Sequence, residues 1–158
     1  MSEDARVEEA LLDGVGLASG EDVLVLGGGE LVFGAHERVG DGWVFVVRTQ
    51  VDELEELLAE AHSAGAAGVA YLVGESPVLP LPDAAVSAVV GRLATDEGAL
   101  EPAALELARV LRQGGRVALA EADAAAGEAL AETLAAAGFG DAASVAFDGG
   151  AVVTATRG

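Results

Sequence analysis

Few residues in this sequence have the type and spacing for chemistry, and the most suggestive sit where an apolar run meets three glycines. EDVLVLGGG (21–29) reads as a buried strand that turns at Gly27, Gly28 and Gly29. Lacking a Cβ, such a turn lets the backbone come close to a ligand, though strands also end this way for plain structural reasons. His36 follows closely behind the glycines, and His62 lies late in a helical stretch. Neither has an evident partner for acid–base work, and His62 suits the C-terminal end of a helix dipole. No two histidines share a ligand spacing and the acids form no calcium-loop pattern, so no metal site is expected. Cysteine is absent, which excludes disulfides, thiolate metal sites and cysteine nucleophiles.

The totals bound the rest. At 158 residues the chain is read as one domain, with an N-terminal helix over 1–19 and a core over 21–157. It is 52% hydrophobic but only 4% aromatic, so its core must be built from small aliphatic side chains. The longest apolar runs have strand length, too short to span a membrane, and MSEDARVEEA lacks the basic and apolar regions of a signal peptide. A cytoplasmic protein is expected. Against 27 acidic residues stand 8 basic ones, all arginine, for a net charge of −19. A surface this negative repels phosphate backbones, so nucleic acid is not an expected partner. A proteome-wide bias, such as adaptation to high salt, accounts for the acidity more simply than a basic protein partner does.

Short apolar runs alternate with helical patterns along the chain. Residues 3–18 form an amphipathic helix with Val7, Leu11, Leu12 and Val15 on one face, ended by Gly20. Strands are expected at 21–29, 43–49, 68–73, 85–91 and 115–122. Helices are expected at 30–38, 51–64, 99–112 and 124–137, the first a poor one because of Val32, Phe33 and Gly34. A proline-rich loop covers 77–83. Residues 143–157 read as a β-hairpin turning at Asp148-Gly149-Gly150. Strand and helix in alternation imply an α/β protein, a mostly parallel sheet covered on both faces, with the hairpin adding an antiparallel strand at one edge.

Three stretches of this pattern carry a resemblance. LPLPDAAVSAVV (79–90), LELARVLRQGGRVALAE (105–121) and AETLAAAGFGDAASVAF (131–147) are similar in register to blocks of the class I S-adenosylmethionine (SAM) dependent methyltransferases. The resemblance implies a Rossmann-like fold with seven strands in the order 3-2-1-4-5-7-6, the seventh antiparallel. Gly114-Gly115 then makes the tight turn from helix to strand, and Arg109 pairs with a nearby carboxylate or caps a carbonyl. These blocks concern fold; the chemistry lies elsewhere.

In that family SAM is held at four places. A GxGxG loop follows the first strand; here Gly27, Gly28, Gly29, Glu30 and Leu31 stand in it, and the leucine is expected to project toward the cofactor. An acid often stands two residues before the loop; here it is Val25. A second acid accepts the ribose hydroxyls at the end of the second strand. Nineteen residues separate Gly29 from Arg48, which takes that position with donors only. A third acid meets the adenine amine after the third strand, a role Glu75 in Gly74-Glu75-Ser76 can fill with a longer arm. Losing two charged hydrogen bonds and admitting a leucine removes ~4–6 kcal/mol of binding.

On the substrate side the chain is spare. It has no asparagine, hence no Asn-Pro-Pro-Tyr motif of amino-group methylation, and Gly91-Arg92-Leu93-Ala94 stands after the fourth strand. Few residues precede the first strand, and few connect the fifth strand to the last helix. The resulting expectation is a methyltransferase-like domain with a degenerate SAM site and no catalytic residue. It acts as a binding or regulatory subunit beside a homo-oligomeric partner or an active enzyme, with SAM as the cofactor if it has one. The alternative is an active SAM-dependent methyltransferase for a small molecule or protein, completed by a second subunit. A third reading gives the crevice another ligand, with Arg48 taking a carboxylate or phosphate.

Overall fold

The first helix shows how the apolar stripes become layers. In a computed structural model, residues 3–26, 30–48, 69–73, 79, 81–92, 100–147 and 150–157 are described. Helix α1 (Glu3–Val15) buries Val7, Leu11, Leu12 and Val15, the i, i+4, i+8 stripe that a 3.6-residue period places on one face. It stops earlier than Gly20: Gly16 leaves the helix and its N–H donates to Leu12 O at 3.2 Å. Strand β1 (Val23–Leu26) follows, then α2 (Glu30–Val39), β2 (Val44–Arg48), β3 (Val69–Val73) and β4 (Val86–Gly91). The chain continues through α3 (Leu100–Val110), β5 (Leu111–Glu121), α4 (Ala124–Ala136), β6 (Phe139–Phe147) and β7 (Gly150–Arg157). The helix expected over 51–64 lies outside the described residues.

The seven strands form one sheet in the order β3-β2-β1-β4-β5-β7-β6. Among the described residues only the β5–β7 and β6–β7 pairs are antiparallel. This is the order the resemblance implies, with the closing hairpin at the predicted edge. Alternation along the strands feeds two cores. Val23 and Val25 of β1 join a cluster beneath α1 and α2, while Leu24 joins one beneath α3 and α4. Gly34, a poor helix former, stands where α1 crosses α2: a Cβ there would come within 2.7 Å of Leu12 Cδ1. Small residues of this kind compensate for the scarcity of aromatics by letting the layers approach.

Two boundaries differ from expectation. Strand β5 begins at Leu111, not 115, because Leu111 already pairs with Val86; the ladder then resumes at Ala88–Arg116, and the intervening residues bulge around Gly114-Gly115. The predicted turn is thus a bulge inside the strand. Strand β6 begins at Phe139 rather than 143, with a register shift between Gly140 and Ala143 where Asp141 adopts φ 54°. The glycines flanking Phe139 read as a turn in sequence; Gly138, at φ 102°, makes that turn, but the strand runs through Gly140.

Three arginines fasten the amino-terminal edge of the sheet. Arg116 holds both carboxylate oxygens of Glu21, at 2.7 and 3.0 Å, and donates to Val15 O and Gly16 O at the end of α1. Arg112 reaches Asp22, Ser87 Oγ and Ala85 O. Arg109 pairs with Glu106 and with Asp83, and donates to Leu79 O at 3.1 Å. Glu106 in turn accepts from Leu79 N at 2.7 Å. Arg109 therefore both pairs with carboxylates and caps a carbonyl.

These bonds hold the Glu21 and Glu106 carboxyls below the usual carboxylate value, chiefly through hydrogen bonds from Arg116 and Arg109. A lowered folded-state pKa stabilises the fold above the ordinary value and loses that stabilisation as pH falls through the lowered one. A Glu21→Gln, Glu106→Gln double variant is therefore expected to melt below the wild type at neutral pH. The gap should close as pH drops below about 4.5, the ordinary glutamate value. Thermal melts of both proteins across acid pH check this; a gap independent of pH would show that the carboxylates contribute nothing through their charge.

Candidate functional site

In an open parallel sheet, ligands bind beyond the carboxyl ends of the strands where the strand order reverses. Here β1 leads outward to β2 and β3, and the chain then returns to β4 on the other side of β1. The reversal lies between β1 and β4. Their ends meet closely: Arg92 N donates to Leu26 O at 2.7 Å. Gly91 has φ +133°, and a Cβ on it would fall 2.0 Å from Leu26 O, so only glycine lets β4 end against β1 in this way.

The residues predicted from sequence gather around this point as far as they are described. Arg48 ends β2 and α2 begins at Glu30. Gly27, Gly28, Gly29 and Glu75 lie outside the described residues, as do the side chains of Glu30 and Arg48. Val25 is fully buried in the cluster beneath α1 and α2. It is a core residue of β1, and an acid in its place would need a partner within the core.

Leu31 corrects an expectation. It was placed to project toward the cofactor, but its side chain is 4% exposed and packs in the cluster with α1. The physical reason is helical periodicity. Leu31, Ala35 and Val39 stand at i, i+4 and i+8 of α2 with Val32 beside them, and all four are buried. The leucine leads the apolar stripe that seats α2 on the sheet. The loss of SAM binding argued from it falls away, leaving the residues at 25 and 48.

Two charged residues at this edge were not singled out from sequence. Arg92 is exposed just past the end of β4, and among the described residues it holds no carboxylate. Glu121 ends β5 on the adjacent strand. Burial raises its carboxyl above the usual range; the charge of Arg92 opposes this and that of Asp123 adds to it. Asp123 is committed to capping α4, accepting from Ala126 N at 2.8 Å. Arg92 was visible in sequence only as the residue following a glycine; strand order gives it its place. His36 occupies the last turn of α2, away from the helix start; His62 lies outside the described residues. Among the described residues no three acidic or histidine side chains gather as a metal site, and no helix is long and apolar enough to cross a membrane.

No protein-family model and no curated protein matches the sequence. Solved structures do match. A SAM-dependent methyltransferase from Aquifex aeolicus superposes with a TM-score of 0.79 at 21% identity, covering 99% of this chain and 94% of its own. A precorrin-6y C5,15-methyltransferase from Geobacter metallireducens gives 0.80 at 18%, covering 97% and 88%. The [4+2]-cyclase SpnF gives 0.79 at 18%, covering 96% and 80%. The fold is thus the class I SAM-dependent methyltransferase fold.

If Leu31 is a core residue, Leu31→Ala should lower stability by about 2–5 kcal/mol. It should give no gain in SAM affinity. Denaturant melts and a SAM titration of the variant check both, and a stable variant with improved SAM binding would return the leucine to the crevice.

Proposed function

We propose that this protein is a methyltransferase-fold subunit that does not transfer methyl groups and that acts in the cytoplasm by binding a protein partner. The observation that carries the reading is Arg48 at the end of β2. By resemblance, this is where SAM's ribose diol meets a carboxylate that accepts two hydrogen bonds. A guanidinium has five N–H donors and no acceptor, so it cannot replace that interaction. A buried valine at 25 instead of an acid points the same way. The fold itself does not oppose the reading, because one fold hosts many functions; a protein named as a [4+2]-cyclase shares it.

The second reading, an active SAM-dependent methyltransferase completed by another subunit, is favoured by Leu31, whose burial leaves the crevice unobstructed by that side chain. The near-complete mutual coverage with the Aquifex aeolicus methyltransferase also supports it, since a chain of comparable extent carries that name.

Calorimetric titration with SAM and with S-adenosylhomocysteine separates the two. The expected result is no micromolar binding of either, and micromolar affinity for SAM would overturn the leading reading. Restoring the acceptor with Arg48→Asp should improve SAM affinity by roughly tenfold or more, the worth of one charged hydrogen bond.

A further inference from the structure

Strand β6 ends the sheet, and among the described residues its outer side has no neighbouring strand. Alternate residues of an edge strand offer N–H and C=O groups to another chain, and proteins blunt such edges with bulges, charges or proline. The first half of β6 is blunted in this way. Its register slips between Gly140 and Ala143, and Asp141, at φ 54°, is the one charged residue of the strand. The second half is not. Ala143 to Phe147 pair with Thr154 to Gly150 in register, and this Ala-Ser-Val-Ala-Phe run holds no charge and no proline. Val145 is 67% exposed, more than any other large apolar side chain among the described residues. It pairs with Val152 and so shares the sheet face that carries α1, where Phe147 is half-buried. Helix α1 packs on β4, β5 and β7, and Val145 lies beyond its cover.

We infer that two copies of this chain pair through residues 143–147 of β6, antiparallel, about a two-fold axis at Val145. The inference rests on the proposal that the chain works by binding a protein partner, and it names that partner as a second copy. Self-complementarity favours this occupant. With the axis at Val145, Ala143 of one copy stands opposite Phe147 of the second copy. A small side chain then meets a large one on each side of a central Val145–Val145 pair. Charge favours it too. Two chains of net charge −19 repel each other, and contact costs least along a strip without carboxylates. A basic partner gains most from acidic surface, and residues 142–147 offer it none. The repulsion that remains comes from flanking groups: α4 packs on β6 and exposes Glu128 and Glu132. Pairing therefore strengthens as salt screens them.

Light scattering on the whole chain, over a range of protein and salt concentrations, tests the pairing. The expected mass is that of two chains, with the dimer fraction rising from low to high salt. Val145→Glu sets two carboxylates against each other on the axis and should weaken dimerisation roughly tenfold or more. Leu105→Glu, at a residue 53% exposed on α3, should leave it unchanged. A second readout traps even a weak dimer. The chain has no cysteine, so Val145→Cys supplies one thiol per copy. Residues opposed across paired strands fall within the Cα separation of a disulfide, about 4.4–6.8 Å. Mild oxidation should link the Val145→Cys protein into dimers far faster than the Leu105→Cys protein. A monomer under every condition, a dimer that Val145→Glu leaves intact, or equal cross-linking at the two sites overturns the pairing. The SAM titration keeps the two readings apart. Micromolar SAM affinity sinks the non-methylating function whatever the oligomeric state, and a monomer sinks the self-pairing while leaving that function to the titration.

Discussion

The structure depends on the pairing of Arg109, Arg112 and Arg116 with carboxylates and carbonyls at the amino-terminal edge of the sheet. A chain with so many negative charges pays for compactness in self-repulsion, and its small side chains offer little apolar area each. Three arginines within eight residues answer both problems at one place. Arg116 ties the end of α1 to the start of β1 through Glu21, and Arg112 ties β1 to the start of β4 through Asp22 and Ser87. Arg109 ties α3 to the segment before β4. Partly exposed ion pairs contribute little singly. Here each guanidinium also donates to a backbone carbonyl, so it joins main chain as well as side chains across the edge.

Fastening one edge leaves the other free to differ. The carboxyl-terminal edge needs only that β4 end tightly against β1, which Gly91 and the Arg92 N–H to Leu26 O bond provide. An acid can give way to an arginine at the end of β2 without disturbing the core, because the position lies where the strand leaves the sheet. High structural similarity at 21% identity shows the fold, and one fold hosts many chemistries.

The same separation explains what the sequence revealed. The alternation of strands and helices was legible because VLVL, VFVVR and LELARVL carry clean periods, and the block 105–121 fixed the order of α3 and β5. The bulges at 112–115 and at 140–143 were not, since glycine pairs look alike whether they end a strand or kink it. Leu31 was misplaced for an instructive reason. Its position relative to the glycines suggested the crevice, while its spacing from Ala35 and Val39 suggested the core, and packing followed the spacing. Arg48 was legible through distance along the chain, whereas Arg92 needed the strand order, which sets the end of β4 beside the end of β1.

Charge supplies the last step. A surface rich in carboxylates offers any stray arginine a partner, so the pairing of Arg38 with Asp13, and of the three edge arginines with theirs, is what random opportunity would also favour. An arginine at the strand-order reversal that holds no carboxylate among the described residues runs against that tendency. A guanidinium left in water costs little, so stability does not require its pairing.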